Sequence, residues 1–140
     1  MAASGACVTF PNTDVVQHSV CSFSKAKSFE IPIYAGDSSQ IIALDKPGVV
    51  VLGCNIHYWM TGNIVVADTP IAQVVSASGT VVLADLLRGK YALRVWHPLL
   101  NGGEVAQEFS VGQFSAAVDV TLQLQPGRKP YKPPLSVKSY

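Results

Sequence analysis

Short runs of Val, Ile and aromatic residues alternate along the chain with clusters of Gly, Pro, Asn, Asp and Ser. No stretch carries the sustained 3.6-residue apolar period of an amphipathic helix. The pattern predicts an all-β protein with strands at residues 8–10, 18–23, 28–33, 41–43, 48–53, 63–66, 72–75, 80–83, 89–96, 104–111 and 117–123. Lys46-Pro47-Gly48, Ser78-Gly79 and Asn101-Gly102-Gly103 supply turn chemistry between these runs. Many short strands at such spacing suggest a β-sandwich, and Asp68-Thr69-Pro70 is the natural seam between two β units. Beyond Gln125 the sequence PGRKPYKPPLSVKSY is basic and proline-rich, which predicts an extended, flexible tail.

Composition narrows the picture. A chain of 140 residues that is 49% hydrophobic and 14% charged supports a packed core and excludes global disorder. A net charge of +1, without a basic helix or stripe, offers nothing to follow a nucleic-acid backbone. No run approaches the roughly 20 apolar residues of a membrane span, so no membrane insertion is expected. The opening MAASGA lacks the charged and apolar parts of a secretory signal, as a mature form or a fragment would. Three cysteines, Cys7, Cys21 and Cys54, are too few for a disulfide scaffold and too scattered for a zinc ribbon. If Cys7 and Cys21 pair, Cys54 is the free thiol. No Ser-His-Asp set, paired carboxylates or phosphate-cradling loop is evident, so no catalytic residue is assigned and no enzyme is expected.

The segment GVVVLGCNIHYWMTGNIVVAD (48–68) interrupts two strand runs with Cys54, His57 and Met60 at the spacing C-x-x-H-x-x-M. Alone, a Cys in a Val-rich run is usually a core residue and a Met is usually gap filler. Together, a thiolate, an imidazole and a thioether can converge on one ion if the chain turns back tightly, a turn that Gly62 is expected to permit before the next strand. A trigonal Cys-His-His set with a weak axial Met is the blue-copper arrangement, so a second His is required upstream. His18, directly before an apolar run, is the upstream His; His97, in VWHP, does not fit the set. Zinc with a fourth ligand is the alternative ion, and the C-x-x-C-H signature of c-type haem is absent.

The stretches 8–23 and 48–66 resemble the cupredoxin family, and the short Cys-His-Met loop is most similar to that of the amicyanin type. The resemblance implies a Greek-key β-sandwich binding one type-1 copper through His18, Cys54 and His57, with Met60 axial. It matches Asn12 to the family's loop before the first ligand. Ser19 stands where the family commonly has an Asn that braces the cysteine loop, and its shorter side chain departs from that pattern. Asn55 is expected to contribute a hydrogen bond near the sulfur. Tyr58 and Trp59 are expected either to rim an exposed His57 for partner docking or to pack against the neighbouring unit.

The downstream sequence DTPIAQVVSASGTVVLADLLRGKYALRVWHP resembles a transthyretin-like or carboxypeptidase-regulatory β-sandwich, through Ser78-Gly79-Thr80 and the run from Leu86 to Val95. Such modules are structural or adhesive, which makes His97 a structural surface residue. The two regions in this order resemble exported bacterial cupredoxin-domain proteins of the methylamine-utilisation type. The expected organisation is a cupredoxin-like domain at 1–68, a second small sandwich at 69–125 and the tail at 126–140. The expected function is periplasmic single-electron transfer between redox protein partners, with Lys90, Arg94 and the tail orienting a partner. The alternatives are a binding or structural module with a vestigial metal site, and copper storage or delivery. A cupredoxin normally has further strands before its first ligand. The shortened front predicts a strand edge open to a partner, the tail or self-association.

Overall fold

The computed structural model describes residues 1–36, 40–113 and 117–127. The chain divides into two compact units, Met1–Val81 and Val82–Tyr140. Both are all-β, and no helix among the described residues is long and apolar enough to cross a membrane.

The first unit contains β1 (Ala2–Ala3), β2 (Ala6–Val8), β3 (His18–Phe23), β4 (Ser28–Tyr34), β5 (Ile42–Leu44), β6 (Gly48–Gly53) and β7 (Thr61–Ala67). Five of these form one sheet in the order β1-β7-β6-β3-β4, and β2 and β5 form a second, two-stranded sheet. Strand alternation sends Val50 and Leu52 of β6 inward with Ile64 and Val66 of β7, whereas Val51 between them is 52% exposed. Leu44 of the small sheet packs against Val50 and Val66 of the large one, with Val8, Phe29 and Ile42 around them. This contact between two inner faces is the sandwich core.

Two local features shape the large sheet. Gly5, at φ +86°, lets the chain leave one sheet for the other: the Ser4 N–H donates to Ala67 O, and the next N–H, of Gly5, donates to Leu44 O. In edge strand β4, Pro32 has no N–H for the ladder, and the register shifts there. Val20 pairs with Ile31 but His18 pairs with Tyr34, so β4 carries one extra residue as a bulge. The predicted open front is also modified. Ala2 and Ala3 pair in parallel with Val66 and Ala67, so the first residues of the chain cover part of the edge of β7.

The second unit is built on β8 (Gly89–Trp96) and β9 (Glu104–Val111), an antiparallel hairpin at the predicted bounds. Tyr91 stacks on Phe109 at 5.6 Å on one face, and the Gln125 N–H ties residues beyond the hairpin to Leu99 O. The strands predicted at 72–75, 80–83 and 117–123 do not form. The Ser78-Gly79 turn does form, closed by the Gly79 N–H to Ser76 O at 3.0 Å, but its flanks find no ladder among the described residues. Val74 and Val82 are accordingly 75% and 77% exposed. β-Branched residues favour a strand by packing on a pleated neighbour, and without that neighbour the preference has no expression. Of the predicted tail, residues 128–140 lie outside the described residues.

Leu44 is fully buried, so Leu44→Ala is expected to cost about 2–5 kcal/mol. Val51→Ala, on the opposite face of β6, is expected to stay within roughly 0.5 kcal/mol. Urea unfolding of both variants checks this: equal midpoints would contradict the placement of the core.

Candidate metal centre

The site is assembled by strand pairing. β3 and β6 run antiparallel with Cys21 opposite Gly53, which puts the start of β3 beside the end of β6. Cys54 follows β6 directly, and the chain turns at His57–Met60, closed by the Met60 N–H donating to His57 O at 2.9 Å. β7 resumes at Thr61 opposite Gly53. Gly62, expected to permit the turn, instead lies inside β7 opposite Leu52, where a side chain would meet that leucine at 3.7 Å. The result brings one ligand atom each from His18, Cys54 and His57 within 4.8 Å of one another, a group that could hold a metal ion. Cys54 Sγ lies 3.7 Å from His57 Nδ1, and the two imidazole centroids are 5.0 Å apart.

His18 is oriented by a residue that sequence reasoning missed. Its Nε2 lies 2.9 Å from Asp14 Oδ2, while its Nδ1 is buried with no hydrogen-bond partner. A carboxylate on one imidazole nitrogen fixes the tautomer with the other nitrogen as an electron-pair donor. Asp14 is itself placed by Asn12, whose Oδ1 accepts the Asp14 N–H at 2.9 Å. The Asn12 Nδ2 donates to Val16 O at 2.8 Å, and Tyr34 O–H donates to Phe10 O at 2.7 Å, so the loop before β3 is tied at both ends. Asn12 thus shapes the site through Asp14, and the N-x-D spacing of that side-chain turn is the signal that could have pointed to it.

Around Cys54 the short side chain of Ser19 reaches the loop. Buried Ser19 accepts the Asn55 N–H on its Oγ at 2.9 Å and lies 3.8 Å from Cys54 Sγ, so the serine does brace the loop. Burial pushes the Cys54 thiol up, but backbone hydrogen bonds from Ser19 and Ile56, with the His18 and Ser19 side chains, outweigh it and hold the thiol at about 6. The Asp14 carboxylate, with Cys54 adding to it, holds His18 above its usual 6.5. Burial first, and then the charge of Cys54, push the Tyr34 phenol up. Asn55 places its hydrogen bond near the sulfur through its backbone N–H to Ser19 Oγ, while its side chain meets Cys21 and Glu30.

The remaining candidates fall as follows. Met60 is placed by the His57 turn and is 39% exposed. Trp59 leans on the His57 ring at 5.4 Å and Tyr58 meets Trp59 edge-on, the two being 45% and 75% exposed. Cys7 is exposed on β2 and Cys21 is buried on β3; neither is in a disulfide. His97 sits in the loop of the second hairpin, where its Nδ1 accepts the Leu99 N–H at 3.1 Å. Comparison with family models, with curated proteins and with solved structures finds no match for this chain.

Two solution measurements on the metal-free protein check the electrostatics. Alkylation of Cys54, followed peptide by peptide, is expected to rise through a midpoint near pH 6; a midpoint near the ordinary thiol value of 9.0 would contradict it. By NMR, His18 is expected to titrate above 6.5 and to fall toward that value in Asp14→Asn, because the variant removes the carboxylate that favours the protonated ring.

Proposed function

We propose that this chain is a type-1 copper protein of the cupredoxin kind that carries single electrons between redox partners. The observation behind the proposal is the convergence of His18, Cys54 and His57, with His18 Nδ1 buried and uncommitted while its other ring nitrogen is engaged by Asp14. One thiolate and two imidazoles form a soft donor set that suits copper, and a thiol held at about 6 is largely ionised at neutral pH. Copper, when bound, supplies a one-electron couple. Cys54, His18 and His57 would hold it, with the Met60 thioether as a further, weaker donor.

The protein's own part is to keep that set fixed. Asp14 orients His18, Ser19 fastens the backbone after Cys54, and the Met60 N–H closes the turn that carries His57. Ligands held by the fold need little rearrangement between oxidation states, which favours fast exchange. Exposed Tyr58 and Trp59 beside His57 offer an aromatic surface for a redox partner. A periplasmic location is part of the proposal and follows from the cupredoxin resemblance. A second reading is zinc, favoured by the carboxylate–imidazole pairing of Asp14 with His18.

The test is Cu(II) titration of the reduced, metal-free protein, followed by visible absorption and EPR, with Cys54→Ser alongside. An intense blue charge-transfer band with narrow copper hyperfine splitting, lost in the variant, is the expected outcome. A colourless protein with no stoichiometric copper would exclude the electron carrier, and stoichiometric zinc uptake alone would establish the second reading.

A further inference from the structure

Asn55 follows Cys54 directly, and three of its polar groups are fastened to two strands. Its N–H donates to Ser19 Oγ at 2.9 Å, its Oδ1 accepts from Cys21 Sγ at 3.3 Å, and its Nδ2 donates to Glu30 Oε1 at 3.1 Å. Cys21 pairs with Glu30 on one side and with Gly53 on the other, so the three residues form one row across β4, β3 and β6. Residues in such a row point to the same face of the sheet. That face is opposite the Leu44–Val50–Val66 core, because Phe29, beside Glu30 on β4, and Leu52, beside Gly53 on β6, occupy alternate positions and pack against that core. The loop after Cys54 therefore folds over the outer face and is held there by polar contacts.

The polarity of the contacts admits one arrangement. A thiol can donate to the amide oxygen, and a carboxylate can accept from the amide nitrogen. Turning the Asn55 amide over would set its oxygen against the Glu30 carboxylate, acceptor against acceptor, whereas the Cys21 thiol, whose Sγ also lies 3.5 Å from Gly53 O, can meet either end of the amide. Cys21 is 6% exposed, so its contact is shielded from water, whereas Glu30 is exposed and its hydrogen bond competes with solvent.

We propose that Cys21 and Glu30 are positioning residues that act through Asn55 to fix the loop carrying Cys54 and His57, and thereby the direction in which the thiolate faces the two imidazoles. The inference deepens the metal-site reading and rests on it for its functional consequence. Cys21 then has a use that needs neither a disulfide nor metal ligation.

The test compares Cys21→Ala, Cys21→Ser and Glu30→Ala with the parent chain in two measurements. The first is hydrogen exchange of the Asn55 backbone amide by NMR in the metal-free protein, which reads the brace without any metal. The second is Cu(II) affinity by chelator competition, together with the EPR hyperfine splitting. Cys21→Ala is expected to speed Asn55 exchange about tenfold and to weaken Cu(II) binding about tenfold. Cys21→Ser, which keeps a donor, is expected to restore both, and Glu30→Ala to shift both in the same direction by less. Should Cys21→Ala fail to fold, the exposed Glu30→Ala still carries the test. Asn55 exchange and Cu(II) spectra equal to the parent's in the folded variants would overturn the brace. If the parent chain takes up no copper, the electron-carrier reading falls, and Asn55 exchange alone decides for or against the brace.

Discussion

β3 and β6 pair antiparallel with Cys21 opposite Gly53, and the convergence of His18, Cys54 and His57 depends on that register. His18 begins one strand and Cys54 follows the end of the other, so they meet only if these strands lie side by side in this alignment. The driving force lies elsewhere, in Leu44, Val50 and Val66 between the two sheets. Burial of apolar surface is strong but non-directional: it holds the sheets together without choosing how a loop sits at their end. Direction comes from polar contacts, with Ser19 and Cys21 of β3 and Glu30 of β4 all converging on Asn55.

The same division of labour appears in the electrostatics. A half-buried thiol resists ionisation, yet Cys54 is held at about 6 because backbone hydrogen bonds and neighbouring side chains favour its anion. Across the site Asp14 occupies one nitrogen of His18 and leaves the other facing inward without a partner. An anionic sulfur, a committed tautomer and a buried free electron pair are costly to assemble unless something positive completes them. A metal ion would do so, taking the Cys54 sulfur as thiolate and the unpartnered His18 nitrogen as an electron-pair donor.

Much of this was legible in the sequence where neighbours are local. The bounds of β3, β6, β8 and β9 follow from period-two alternation and from turn residues, and the Cys-His-Met spacing with His18 upstream identified the three residues that converge. What depended on partners was not legible. The strands expected at 72–75, 80–83 and 117–123 have the right residues but no ladder, and β1 is two alanines with no pattern to read. Asp14 reaches His18 across a loop, so helical or strand periodicity gives no hint of it. Ser19 looked too short to brace the cysteine loop. The loop folds close over β3, and a hydroxyl then suffices.

The central claim is that Cys54, His18 and His57 hold copper in one arrangement that serves both oxidation states. Copper K-edge X-ray absorption on the reduced and the oxidised protein tests it most directly. The account predicts one short sulfur scatterer and two imidazole nitrogens in both states, with distances nearly unchanged. A first shell lacking sulfur, or a coordination number that changes on reduction, would contradict it.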